Sequence, residues 1–248
     1  MKVLVLYVFH EYDDNVKIFL NNCIFKDNNI DFMIIANNKN YDFSKLNLPD
    51  YVITMNRENK GRDFGGWSEG LLRNNLYKNY NKFIFANSTI IGPYLKDDTI
   101  KWTDIFINGL SDNIKLFGCT INNAYFSHVQ TYIFSIDKEA LEFLIEKGKF
   151  TITNYPSTAR EAQENEIFMS KDITDNGWNI GCLLKCYQGI DFTFKNKKKE
   201  DFANVLYGDI MFPQYRNILW NEYDVIFVKG NRVKLHHHWY IRHYYNTQ

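Results

Sequence analysis

Two polar clusters have residue types and spacing that could do chemistry. The first is Asn59-Lys60-Gly61-Arg62-Asp63-Phe64-Gly65-Gly66-Trp67, an Arg–Asp pair set among glycines. Glycine lets a backbone approach a ligand closely, and a helix opening near Gly65 would turn unpaired N–H groups toward an anion. Arg62 can pair with a diphosphate or, in a plain helix entry, with Asp63. The second cluster is Asn87-Ser88-Thr89, whose short oxygen-bearing side chains can reach a ligand or a hydrated divalent ion, or simply make a turn. Neither cluster is a dinucleotide fingerprint, because no G-x-G-x-x-G follows the first strand. Neither is a phosphate loop of the G-x-x-x-x-G-K-[ST] type.

The elements that must position these clusters follow from periodicity. Lys2 to Val8 reads as a buried strand, and Val16, Phe19, Leu20 and Cys23 then share one helical face. Phe32 to Ala36 and Tyr51 to Met55 read as the next strands, and Lys82 to Ala86 as the fourth. Between the last two, a helix opens at Gly65-Gly66 with Trp67 and Leu71 inward. Strands alternating with helices at this spacing predict a parallel sheet of βαβ units. Such a sheet binds ligands just past the carboxyl ends of its strands, which is where both clusters fall.

Past Thr89 the pattern is mixed. Gly92-Pro93 forces a turn, and Trp102 to Leu110 reads as a short helix. Lys115 to Ile121 and Thr131 to Ile136 read as strands separated by a polar loop, Asn122 to Gln130. Asp137 can cap a helix that Gly148 stops, and Thr158 with Glu161 has capping-box spacing for a helix through Ser170. Trp178 to Tyr187 is expected to be helical and Asp224 to Val228 a late strand. No repeat and no interdomain linker interrupts residues 1–248, so one α/β domain is expected.

Composition narrows the partners. With 45% hydrophobic residues in 248, the chain can bury a sizeable core. Lys plus Arg equals Asp plus Glu at 29 each, which argues against nucleic acid as a partner. The run Lys195 to Lys199 reads as a solvated loop. Met1-Lys2 leads into an apolar stretch too short for a signal peptide or a membrane span, so a cytoplasmic protein without a transmembrane segment is expected. The cysteines, Cys23, Cys119, Cys182 and Cys186, then read as reduced core residues; on a helix Cys182 and Cys186 would share a face, but no second pair completes a zinc site.

The order strand, Glu58-Asn59-Lys60-Gly61, helix, then a strand ending Phe85-Ala86-Asn87-Ser88-Thr89 resembles nucleotide-sugar-dependent glycosyltransferases of the GT-A fold. The closer likeness is to the rhamnan-synthesis-type branch. Its Asn-x-Gly-Arg-Asp motif matches Asn59, Gly61, Arg62 and Asp63, and its Asn-Ser-x-x-x-Gly-Pro motif matches Asn87, Ser88, Gly92 and Pro93. Weaker matches are His128-Val129-Gln130, Glu166 to Ser170 with Gly177-Trp178-Asn179, and Val225 to Lys229. The likeness therefore extends over most of the chain.

The resemblance implies a GT-A-like, Rossmann-like sheet and a transferase moving a hexosyl or deoxyhexosyl group from a nucleotide-diphosphate sugar, UDP-sugar foremost, to a glycan hydroxyl, as in polysaccharide biosynthesis. Residues 1–95 would form the nucleotide-sugar-binding half and 96–248 the acceptor-binding half. Asn59, Gly61, Arg62, Asp63, Asn87 and Ser88 would hold the donor, with Tyr7 and His10 bordering the base. His128 and Gln130 would meet the acceptor, and Glu166 would take the hydroxyl proton, with Glu164 as the fallback. The family's Asp-x-Asp carboxylates, which hold Mn²⁺ or Mg²⁺, are here Asn87 and Thr89, so metal dependence is an open expectation. Thr89 and His238, within His236-His237-His238, are the candidate ligands, and Arg62 or Lys229 could supply positive charge instead. The neutral Asn87 and Thr89 also admit a catalytically silent nucleotide- or glycan-binding relative.

Overall fold

The computed structural model of the chain describes residues 1–195, 208 and 220–233. Strand β1 (Val3–Phe9) is buried at every position, as an apolar run covered on both faces must be. It is followed by α1 (Asp14–Asn22), β2 (Ile30–Ala36), β3 (Ile53–Asn56), α2 (Arg62–Leu72) and β4 (Lys82–Asn87). Next come β5 (Ile90–Ile91), α3 (Trp102–Asn108), β6 (Ile114–Gly118), β7 (Ile121–Ala124), β8 (Phe126–Val129) and β9 (Ile133–Asp137). Helices α4 (Lys138–Glu146) and α5 (Ala159–Asp175) precede β10 (Asn179–Cys182). The described C-terminal part holds α6 (Glu222–Val225), β11 (Val228–Lys229) and α7 (Gly230–Val233).

Seven strands form one sheet in the order β10-β6-β9-β4-β1-β2-β3. All neighbours are parallel except β9, which runs antiparallel to both β4 and β6. The expected mostly parallel α/β sheet flanked by helices is thus observed. The chain lays β1, β2 and β3 outward in one direction and then returns to place β4 on the other side of β1. That reversal opens a crevice at the carboxyl ends of β1 and β4, the usual ligand position in such sheets.

Period-two alternation along β1 seats a helix on each face. Tyr7 stacks on Phe19 of α1 with ring centroids 3.8 Å apart. Leu6 and Val8 point the other way and receive α2. The approach of α2 is close because Gly66 and Gly70 face the strands: a Cβ on Gly66 would lie 2.5 Å from Val8 Cγ2, and one on Gly70 2.9 Å from Ile35 Cδ1. Trp67 is fully buried beside them and donates its indole N–H to Ala86 O at 3.2 Å, tying α2 to the end of β4.

Four boundaries differ from expectation. Helix α2 begins at Arg62, three residues before Gly65, because Gly61 (φ 73°) and Arg62 (φ 52°) take the left-handed turn that starts it. The polar segment 122–130 is largely the β7–β8 hairpin, turned at Tyr125 with φ 64°; its polar side chains mark a strand lining a cavity. Trp178 to Tyr187 is not a helix. Asn179 to Cys182 pairs parallel with β6, and the Asn179 side chain binds Ile190 O at 2.9 Å and Phe192 N at 2.9 Å. Asp224 to Val228 is split, since a capping box between Asn221 and Asp224 turns its first part into α6. The box at Thr158 and Glu161 is present as expected, with α5 continuing to Asp175.

Cys182, in β10, and Cys186, in the short turn after it, share no helical face, and all four cysteines are free. No helix of the described residues is long and apolar enough to cross a membrane.

Candidate active site at the β1–β4 switch point

The loop 57–61 entering α2 is pinned from below by Arg57, only 4% exposed. Its guanidinium donates to Glu69 Oε1 at 2.9 Å, Asn37 Oδ1 at 2.6 Å and Lys60 O at 2.6 Å. Asn37 returns an N–H to Arg62 O at 3.0 Å, and Tyr155 donates its hydroxyl to Glu69 Oε1 at 2.9 Å. Gly61 is required here: its φ of 73° is left-handed, and a Cβ would lie 2.6 Å from Tyr155 Cβ and 2.7 Å from its ring. A left-handed Arg62 and a first helical turn without a side-chain cap follow, so the amino end of α2 is fixed and faces the crevice.

Asp63 stands on that turn and accepts a hydrogen bond from Asn87 Nδ2 at 2.8 Å. The residue keeps some surface open to the crevice, while its carboxyl is otherwise enclosed by protein. Burial pushes it up to about 6, partly opposed by the Asn87 hydrogen bond and the positive charges of Lys229 and Arg62, with Glu166 adding to the rise. The other end of Asn87 is committed as well, since Oδ1 accepts from Thr89 N at 3.0 Å and from Thr89 Oγ1 at 2.6 Å. Lys229 reaches the same place through the short β5–β11 ribbon, in which it pairs with Ile90, and Gly230 N binds Thr89 O at 2.6 Å.

Helix α5 and the β7–β8 hairpin close the opposite wall. Glu166 Oε2 accepts from Thr131 N at 3.2 Å and from the Thr131 hydroxyl. Glu166 Oε1 lies 3.6 Å from His128 Nε2, and His128 Nδ1 lies 2.9 Å from Phe126 O. Ser170, one turn along α5, accepts the Val129 N–H at 3.0 Å and locks helix to strand. Gln130 is 3% exposed and takes the Thr120 hydroxyl at 2.7 Å.

Between the walls lies a cavity of about 520 Å³. Of the residues singled out in the sequence, it brings together Arg62, Asp63, Asn87, Thr89, His128, Gln130 and Glu166, with Lys229 beside them. Others lie outside its lining. Asn59 is exposed on the entry loop, Gly61 is buried beneath it, and Ser88 turns away, its carbonyl accepting from Asn15. His10 is exposed and donates to Asn37 O at 2.8 Å. Tyr7 is wholly buried under Phe19, so it presents no surface to a base; the burial raises its hydroxyl well above the usual value. Glu164 is on another face of α5, paired with Arg160 at 2.8 Å. His238 lies outside the described residues. Thr131 and Arg57 went unmarked in the sequence, because a threonine opening a strand and an arginine closing one carry no motif.

The donor set can be tested against a divalent ion. Mg²⁺ and related hard cations are held mainly by oxygen, through one or more carboxylates. Asn87 Oδ1 is already satisfied by Thr89, and among the described residues no three His, Cys, Asp or Glu side chains gather into a metal site. The described residues therefore offer no ready set of three such ligands to an ion. Positive charge in the cavity comes from Arg62 and Lys229, neither tied into an ion pair among the described residues.

No family model matches the chain, and no curated protein matches it either. Among solved structures it is similar to the apo form of the glycosyltransferase GlyE of Streptococcus pneumoniae TIGR4, with 12% identity, 93% of this chain and 54% of that one covered, and a TM-score of 0.44. It is similar to a cytidylyltransferase of Leptospira borgpetersenii serovar Hardjo-bovis, at 12% identity, 73% and 75% coverage and a TM-score of 0.42. A third is a glycosyltransferase involved in glycosylation of the major capsid of PBCV-1, at 14% identity, 82% and 91% coverage and 0.38. The likenesses are distant, and the fold rests on the strand order and register described above.

Proposed function

We propose that the protein is a glycosyltransferase that moves a sugar from a nucleotide-diphosphate donor, UDP-sugar foremost, to a glycan hydroxyl. One observation carries this reading: a cavity at the sheet's switch point is lined by two cations, Arg62 and Lys229, and by two carboxylates from different elements, Asp63 and Glu166. In such a reaction the leaving diphosphate gains negative charge, and cations fixed beside it stabilise that charge. Arg62, Lys229 and the amino end of α2 would do this work, and Asp63 with Asn87 would hold the donor sugar's hydroxyls. Glu166, on the opposite wall, would take the proton of an incoming hydroxyl. The acceptor would lead out over the hairpin, where Tyr125, Phe126 and Phe168 are exposed and the Phe126 and Phe168 rings lie 6.0 Å apart; exposed rings are good stacking surfaces for sugars.

The test is calorimetry against a panel of nucleotide-diphosphate sugars and free nucleotides, with and without Mn²⁺, followed by transfer assays on the donor that binds. Binding of at least one nucleotide sugar at micromolar levels is expected. Failure of every nucleotide, in both metal conditions, would sink the reading. The commitment of Asn87 Oδ1 to Thr89 and of one Nδ2 hydrogen to Asp63, where the resembled family carries metal-holding carboxylates, favours a second reading: a binding protein without turnover. Donor hydrolysis or transfer that disappears in Glu166→Gln excludes that alternative.

A further inference from the structure

We infer that His128 and Glu166 act as one proton-holding pair, so that His128 is the proton partner of the base and not an acceptor contact. The inference rests on the transferase reading above, for an attack that inverts the anomeric centre. Its starting point is the Phe126 carbonyl, which can only accept a hydrogen bond. With Nδ1 at 2.9 Å from that oxygen, Nδ1 must carry the ring hydrogen. In the neutral imidazole, Nε2 then holds a lone pair, and that lone pair faces Glu166 Oε1 across 3.6 Å. Oε2 is already taken by the Thr131 amide and hydroxyl. With the ring neutral and the carboxylate ionised, two acceptors oppose each other at a distance too long for a hydrogen bond. One added proton converts the gap into a charge-assisted hydrogen bond.

The surroundings hold the gap in place. The His128 side chain is 5% exposed and that of Glu166 17%, so the pair is shielded while the carboxylate keeps an edge on the cavity. Thr131 fixes one oxygen, and Ser170 fixes the strand on the helix. Among the described residues, the charged groups that share the cavity with the pair are Asp63 and Arg62 from α2 and Lys229 from β11, with Gln163 and Asn122 as neutral neighbours. In the reaction the acceptor oxygen bonds to the anomeric carbon, and the bond from that carbon to the phosphate oxygen breaks. The electron pair of that bond leaves with the nucleoside diphosphate. The hydroxyl proton passes to Glu166 Oε1 and is shared with His128 Nε2.

The experiment combines transfer rate against pH in wild type, His128→Gln and Glu166→Gln with ¹⁵N NMR of the His128 ring and calorimetry of donor binding. The amide introduced by His128→Gln donates permanently where the proton would arrive. That substitution should lower kcat by about tenfold or more and move the acid limb of the rate profile to lower pH, with donor affinity kept. In wild type, Nε2 should take up its proton over the same pH range as that acid limb. Removing the carboxylate in Glu166→Gln should move the Nε2 proton uptake to lower pH, because the proton loses its second acceptor. An unchanged acid limb in His128→Gln, or an Nε2 titration indifferent to Glu166→Gln, overturns the pair. The NMR arm needs no turnover. A protein that binds no nucleotide sugar but shows the coupled titration would therefore refute the transferase reading and keep the pair.

Discussion

Asp63→Asn should make the protein more stable at neutral pH and leave its stability in acid unchanged. The carboxyl of Asp63 is pushed from an ordinary 3.8 up to about 6, first by burial. A shift of that size corresponds to roughly 3 kcal/mol at about 1.4 kcal/mol per pH unit. The cavity leaves Asp63 some solvent, which trims the figure to about 2 kcal/mol. The sign follows from linkage. A carboxyl whose folded pKa is raised holds its proton more tightly in the native state, so stability is undiminished below about pH 4. It falls as the pH rises from about 4 to about 6 and stays lowered above that. Asparagine keeps the shape, can still accept from Asn87, and removes the charge. Thermal unfolding of both proteins across that range should give a difference curve near zero at about pH 4. By about pH 7 it should reach roughly 4 to 8 °C in favour of the mutant, for a chain of this length. Other carboxylates titrate alike in both proteins and cancel. A difference that does not vary with pH, or a mutant less stable at neutral pH, would refute the claim that Asp63 is held ionised at a cost. The same mutant should lose donor binding, the expected trade where a site stores instability for function.

Four further outcomes can be measured. Arg57→Met leaves Glu69, Asn37 and the Lys60 carbonyl without their buried donor, and denaturant unfolding should show a loss of about 3–5 kcal/mol. Gly66→Ala drives a methyl against Val8 and should lower stability by about 1–3 kcal/mol in thermal melts. Lys229→Met and Arg62→Met should each weaken UDP binding in calorimetry by about tenfold, equivalent to one lost charge-assisted contact, with the fold retained by circular dichroism. Phe126→Ala and Phe168→Ala should raise the KM for a glycan acceptor several-fold in steady-state assays and leave the donor KM as it was.

The parallel half of the fold was legible because its signals are local. Val3 to Phe9 is too short for a helix and too apolar for a loop, and Trp67 and Leu71, one helical turn apart, mark the buried face of α2. Where the reading failed, a long-range partner decided. Asn179 to Cys182 becomes a strand through its pairing with β6 and through Asn179 reaching to residues 190 and 192, none of it visible in the apolar spacing. The β7–β8 hairpin looked like a loop since its inward face is polar, which is what a strand bordering a cavity requires.

The site divides along the same physical line. Asp63 and Asn87 were marked because each sits at a strand end or helix start that local pattern locates, yet their mutual hydrogen bond spans 24 residues. That bond changes what the neutral Asn87 means. In sequence, asparagine where a carboxylate is expected reads as a loss. In three dimensions the carboxylate is supplied one hydrogen bond away, from the first turn of α2, and the asparagine is the donor that stabilises its ionised form. Thr131 plays the matching part for Glu166 across 35 residues. Each carboxylate is thus held by a neutral hydrogen-bond donor from another element, and the two face each other closely enough for Glu166 to add to the rise of Asp63. Two such groups in one cavity strain against simultaneous ionisation unless positive charge lies between them. Arg62 and Lys229 provide it in part, and an anionic ligand drawing on those cations would push Asp63 further toward holding its proton. Nucleotide binding and proton uptake should therefore be coupled, and calorimetry in buffers of different ionisation heat reads that coupling directly.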